Sequence, residues 1–310
     1  MLVVAALGGN ALSPPGGTGS VAEIQSALAT TAEHLARLVA SGARLVVTHG
    51  NGPQIGRILL QQEAASPAVP PMPMDVCGAQ SQGQIGYLLA QALENAFRQH
   101  AIDTPVLCVV TQVVVDGHDP AFRRPTKPVG PTYDESDARR IATETGYVMR
   151  QITPGQWRRV VPSPQPVRFV AERALLAMLG TGPVVIAAGG GGVLVVDDGQ
   201  TLRGVEAVVD KDLTSSRLAR LVEADVLLIL TGVPVVQQGF GTPAARTLDT
   251  LTTTEARRLL ASGEFPAGSM GPKIEAACQF VLSGGGRAVI TDMESATAAL
   301  AGTAGTQVVV

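Results

Sequence analysis

The sequence predicts an α/β sandwich built on a largely parallel sheet. Three observations carry that reading. Short apolar runs recur along the chain, each ends in a glycine or polar cluster, and helix-compatible stretches separate one run from the next. Continuous apolar runs of strand length are what strands buried on both faces require, and alternation with helices is the mark of a parallel sheet covered on both sides.

In chain order, Leu2–Leu7 is the first such run and stops at Gly8-Gly9-Asn10. Val21–Ser41 is helix-compatible, and Arg44–Thr48 is a second strand, ending in His49-Gly50-Asn51-Gly52. Ser66–Met74 is proline-rich and is read as a surface loop. A helix is predicted over Gln80–His100 and a long strand over Val106–Val115, before Asp116-Gly117. Further on, Pro166–Leu179 suits a helix and Val184–Ala188 a strand that runs into Gly189–Gly192. Leu213–Glu223, Thr253–Ser262 and Pro272–Ser283 complete the helices; Val226–Leu230, before Thr231-Gly232, and Ala288–Thr291, before Asp292, complete the strands. Between Asp116 and Pro166 the rhythm breaks. Prolines at 120, 125, 128, 131, 154, 162 and 164 and the only tryptophan, Trp157, mark an excursion from the main sheet, such as a small subdomain or lid.

Composition narrows the function. Of 310 residues, 45% are hydrophobic, enough for a large core, but only 3% are aromatic, so Val, Leu, Ile and Ala must fill it. The formal charge of −3 is dispersed, and no basic block with interleaved aromatics points to nucleic acid. Three scattered cysteines form neither a disulfide framework nor a zinc pattern, which favours a reducing cytoplasm. No run reaches the roughly 18 apolar residues of a membrane span. Met1–Leu7 lacks a charged leader region and is read as a strand, not a signal peptide.

The chain carries 20 Arg but only three Lys, Lys127, Lys211 and Lys273. Lysine is a compact charge on a flexible stem where arginine is a broad planar fork, so a lysine kept against that bias asks for a reason. Lys211 lies between Asp210 and Asp212 just before a helix, Lys273 opens a helix after Gly268-Ser269-Met270-Gly271, and Lys127 sits in the proline-rich excursion. Phosphoryl transfer needs cations around the group in flight and glycine-rich backbone that can approach an anion. The plain alternatives are a surface ion pair of Lys211 with Asp210 or Asp212, and an ordinary first-turn residue at Lys273. No Walker-type P-loop or protein-kinase glycine loop is present, and Gly189–Gly192 lacks dinucleotide-fold spacing, so a nucleotide would need another architecture. The four histidines show no metal spacing; His49 is read as orienting its loop, not as a base.

These pieces together resemble the carbamate kinase family of the amino acid kinase superfamily. The resemblance rests on Ala6–Leu12, His49–Gly56, Cys77–Gly83, Asp119–Phe122, Pro125–Pro131, Trp157–Pro164, Gly204–Asp212 and Gly268–Lys273, all in family order. The first two are shared across the superfamily; the Lys127 arm and Cys77–Gly83 separate this family from its relatives.

The resemblance implies a three-layer sandwich on an about eight-stranded, mostly parallel sheet, with a small protruding subdomain at roughly 116–160. It implies a single domain over 1–310, with a carbamate lobe at about 1–180 and a nucleotide lobe at about 181–310. Reversible phosphoryl transfer between ATP and carbamate follows, ATP-forming in arginine or agmatine breakdown, with Mg2+ carried on the nucleotide. The expected form is a cytoplasmic homodimer with no nucleic-acid or membrane partner. By the same resemblance Lys127, Lys211, Asp212 and Lys273 are catalytic, Asp212 holding the lysines. Gly8, Gly9, Asn10, Gly50 and Asn51 bind the substrate. Thr231, Gly268, Ser269 and Met270 lie along the nucleotide with Lys211 and Lys273, and no protein metal site is expected. Gln238–Gly241 departs from the family pattern near the adenine end. The competing readings are another acyl-phosphate kinase, a non-catalytic sensor on the same fold, and a dinucleotide oxidoreductase.

Overall fold

The computed structural model describes residues 1–12, 16–266 and 268–310, and the backbone only of Asn10. Its centre is an eight-stranded sheet. Across the sheet the strands are 250–252, 306–309, 287–291, 226–230, 2–7, 44–49, 184–186 and 106–108. Every pairing is parallel except that between 287–291 and 306–309, so the two strands beyond it run opposite to the other six.

Nine helices lie among the described residues: α1 (Val21–Ala40), α2 (Gly52–Ala65), α3 (Met74–Gln99), α4 (Glu135–Thr145), α5 (Glu172–Gly180), α6 (Lys211–Leu221), α7 (Thr253–Ala261), α8 (Met270–Leu282) and α9 (Ala296–Leu300). The period-2 side-chain alternation of a strand sorts the first strand between two cores. Val3, Ala5 and Leu7 face the layer of α1, α3 and α9, packing with Leu28, Leu35, Leu89 and Ala299. Val4 and Ala6 face the layer of α5 to α8, packing with Leu175, Leu218, Leu259 and Ile274. This is the three-layer α/β sandwich that the sequence predicts.

Three predicted elements are divided or extended in the structure, and the sheet strands 250–252 and 306–309 have no counterpart in the sequence reading. The run Val106–Val115 is two strands. Val106–Cys108 closes the main sheet, and Gln112–Val115 belongs to a second sheet ordered 202–204, 193–197, 112–115, 166–169. The crossing is pinned by Gln82, whose amide accepts from Thr111 N–H (2.8 Å) and donates to Thr111 O (3.3 Å). An unbroken apolar run cannot reveal that its two halves are buried in different sheets. Pro166–Leu179 is likewise split, into the strand Pro166–Phe169 and α5, because Phe169 fills the core beside Val113 and Val115. Helix α3 starts at Met74, six residues before the predicted Gln80; Met74 and Cys77 are buried in a third cluster with Ile55, Ile58, Val129 and Val161, and this burial extends the helix through Gly78.

The proline-rich excursion folds as an antiparallel sheet of 127–133, 156–161 and 149–153 with α4 across it. This arm rests on α2, where Gly130 meets Gly56 and the Tyr133 hydroxyl donates to Glu63. Arg159 stacks 3.6 Å over the Tyr147 ring and forms an ion pair with Glu206.

Candidate active site

The parallel strands 2–7, 44–49, 226–230 and 287–291 all end at one edge, and there a cleft of about 1350 Å³ opens. Ligands of open α/β sheets sit at this edge. Gly8 and Gly9 line the cleft after the first strand, Gly50 and Asn51 after the second, and Thr231 and Gly232 after the strand 226–230. Gly8 has to be glycine: a Cβ there would lie 2.8 Å from the Leu230 carbonyl oxygen on the neighbouring strand. Asn10 follows in the same short turn; its side chain lies outside the described residues. Gly268 and Ser269 line the cleft before α8, whereas Met270 packs against the core beneath the sheet.

The three lysines converge in the cleft from separate elements, Lys211 from the first turn of α6, Lys273 from the first turn of α8 and Lys127 from the arm. Asp212, 2% exposed, bridges two of them. Its Oδ1 accepts from Lys211 Nζ at 2.6 Å and its Oδ2 from Lys273 Nζ at 2.9 Å. Burial works to raise the Asp212 pKa, but Lys211 and Lys273 together outweigh it and hold the carboxyl below its ordinary range. Burial pulls the Lys211 ammonium below its usual pKa; Lys273 adds to that fall and Asp212 opposes it. Two cations share one carboxylate, so the centre carries a net positive charge where an anion would sit.

Lys127 reaches the same centre through Asp210, which the sequence reading treated only as a surface partner for Lys211. Lys127 Nζ donates to Asp210 Oδ2 at 2.8 Å. Asp210 Oδ1 meanwhile caps α6 by accepting from Asp212 N–H at 3.0 Å. The signal available in the sequence was the Asp-Lys-Asp run before a helix, but nothing local ties it to a residue 83 positions away.

A buried polar frame, also not foreseen, fixes the loops. Ser215 donates to Lys211 O (2.6 Å) and accepts from Thr48 Oγ1 (2.6 Å), tying α6 to the strand 44–49. Asn51 donates to Ser81 Oγ (2.8 Å), which links the loop after the strand 44–49 to the Cys77–Gly83 motif on α3. Gln238, in the departing element, is in a two-stranded ribbon and accepts from Arg246.

His49 is 1% exposed and donates from Nδ1 to Gly50 O at 2.8 Å, a carbonyl that can only accept. Its ring leaves no room at residue 189, where a Cβ would fall 2.3 Å from Nε2, so Gly189 is required. Burial, aided by the Lys211 charge, lowers its pKa from 6.5 to about 4. The unfolded chain therefore binds a proton that the folded one refuses between those values, and stability is lost as pH falls through that window. A loss of about 2 kcal/mol by pH 5 is expected from this group alone. Urea unfolding of the wild type and of His49→Gln at pH 7 and pH 5 checks it; an equal pH dependence in both proteins refutes it.

This sandwich, with its cation-lined cleft at the sheet edge, matches over residues 1–292 the model of the amino acid kinase family. The chain is 49% identical to the carbamate kinase of Halobacterium salinarum over 310 residues, covering 99% of this chain and 97% of that protein. It is 46% identical to the carbamate kinase of Pyrococcus horikoshii over 308 residues, covering 99% and 98%. Among solved structures, the carbamate kinase of Giardia lamblia bound to AMP-PNP superposes with a TM-score of 0.93 at 38% identity, covering 99% and 98%. The chain belongs to the carbamate kinases, within the amino acid kinase family.

Proposed function

We propose that the protein transfers a phosphoryl group reversibly between ATP and carbamate, running toward ATP in the breakdown of arginine or agmatine. The observation that carries the reading is the pair of largely shielded ammonium groups held by buried Asp212 at the centre of the cleft. In the ATP-forming direction a β-phosphate oxygen of ADP attacks the phosphorus of carbamoyl phosphate. The bond from phosphorus to the carbamate oxygen breaks and carbamate leaves as an anion. No proton has to move, so no general base is needed. The work is alignment and charge neutralisation by Lys211, Lys273 and Lys127 and by backbone N–H groups at Gly8 and Gly9.

Thr231, Gly268 and Ser269 lie along the cleft where the nucleotide would extend, and Gly50 and Asn51 lie where carbamate would sit. Magnesium would arrive on the nucleotide. Both Asp212 oxygens and both Asp210 oxygens already accept hydrogen bonds from the protein, which suits a cation ligated by phosphate oxygens and water. Among the described residues no helix is long and apolar enough to cross a membrane. A cytoplasmic homodimer is part of this reading; the edge strand Val106–Cys108 and the nearby exposed Leu107 and Val110 support a face for a second copy.

The test is ATP formation from carbamoyl phosphate and MgADP in a hexokinase-coupled assay, with a no-enzyme control for spontaneous decay. Enzyme-dependent ATP is expected, and its absence from folded protein overturns the proposal. Lys127→Ala is expected to lower turnover by about 100-fold, the loss typical of one electrostatic donor, with an unchanged circular dichroism spectrum. Near-normal turnover would remove Lys127 from the mechanism.

A further inference from the structure

We propose that Asp210 is a positioning residue for the reaction: it docks the arm onto the first turn of α6 and fixes the Lys127 ammonium at the cleft. The inference rests on the functional reading above for its kinetic part and on geometry alone for the docking. Asp210 makes two contacts of different kinds. Oδ1 caps the helix that begins with Lys211 and Asp212, and Oδ2 takes the Lys127 ammonium at 2.8 Å. The arm's other side-chain anchors, Tyr133 on Glu63 and Arg159 on Glu206, attach it to α2 and to the segment before α6. Among the described residues the Lys127–Asp210 pair alone joins the arm by side chains to the turn that carries Lys211 and Asp212.

The pair is also partly shielded, with 16% of the Asp210 side chain and 33% of the Lys127 side chain exposed, so it is less screened than an open surface pair. An ammonium has three N–H donors. The described residues engage one of them, and Lys127 lines the cleft, so donors remain for an incoming anion. Asp210 thus sets Lys127 against the helix start that carries Lys211 and Asp212, and Asp212 in turn holds Lys273. A capping role alone would not require the second contact.

Asp210→Asn separates the two roles, because asparagine caps helices about as well as aspartate but carries no charge. The expected result is a rise of about tenfold or more in KM for carbamoyl phosphate, the scale of one charge-assisted contact. KM for MgADP should stay within about twofold, because asparagine keeps the α6 cap that positions Lys211. Hydrogen exchange should quicken in 127–133 and stay unchanged in α6. Equal changes in both KM values, or faster exchange confined to α6, would overturn the proposal. Lys127→Met is the reciprocal variant and should quicken exchange in the same arm segment; unchanged exchange there is equally fatal. If the wild type forms no ATP, the functional reading fails by itself and the exchange comparison still decides the docking.

Discussion

Lys211→Ala is expected to cut ATP formation by about 10³-fold or more while leaving the fold intact. The Lys211 side chain is 13% exposed and sits in the cleft beside a second buried ammonium. In such a water-poor setting a fixed cation stabilises charge on the transferring phosphoryl far more than it could in bulk water. Removing it leaves Asp212 paired one-to-one with Lys273, and the net positive charge of that pair of lysines is gone. The fold should survive because alanine is a strong helix former and Asp210 still caps α6. Lys211→Arg should not restore activity, since a broad guanidinium cannot take the place of a compact ammonium whose stem runs close to Gly50, with Lys211 Cδ 3.5 Å from where a Gly50 Cβ would stand. Turnover in the coupled assay and thermal melts on the same preparations decide this. Turnover within tenfold of wild type would place the main stabilising charge elsewhere.

The second large effect is expected at Asp212. Asp212→Ala removes the only acceptor that the described residues offer to two buried ammonium groups. Breaking a buried pair by deleting one partner commonly costs about 3–5 kcal/mol, and here two like charges are left facing each other. Both stability and turnover should fall, unlike Lys211→Ala, where turnover falls and stability holds. Urea unfolding at pH 7 is the direct measurement, and a loss below about 1 kcal/mol would mean that water or main chain satisfies the lysines unaided. The pH dependence has its own sign. The folded Asp212 pKa is depressed below 3.8, so its contribution is present at neutral pH and is lost only as pH falls through that depressed value. Acid loss from His49 comes earlier, between 6.5 and about 4, so the two groups act in separate windows.

These two variants also show how differently parts of the site could be read from the chain. The lysines were legible because the composition isolates them, three against 20 arginines, with Lys127 and Lys273 in proline- and glycine-framed settings and Lys211 between two aspartates before a helix. The strand-end loops at Gly8–Gly9 and His49–Asn51 were legible because an apolar run stopping at glycine is a local signal. The long arm was legible as a break in rhythm. Its antiparallel sheet was not, because a proline-rich stretch gives no clean period-2 alternation. Two element boundaries failed for one reason. In Val106–Val115 and Pro166–Leu179 the residues stay apolar while the chain changes its neighbours, and periodicity reports burial without saying against what.

The sequence by itself determined the α/β class, the strands 2–7, 44–49, 226–230 and 287–291 that end at the cleft, and which side chains carry the charge. These rest on burial and backbone conformation, and both are written in nearest-neighbour patterns. Only the tertiary structure decided which charges meet. Asp212 could have paired with one adjacent lysine; the sheet brings Lys273, 61 residues on, to its second oxygen. Asp210 turns from its neighbour Lys211 to Lys127, and Ser81 on α3 takes the Asn51 amide. Ion pairs and buried hydrogen bonds depend on distances of a few ångströms between elements remote in sequence, and those distances are set by how layers of a packed core close on one another.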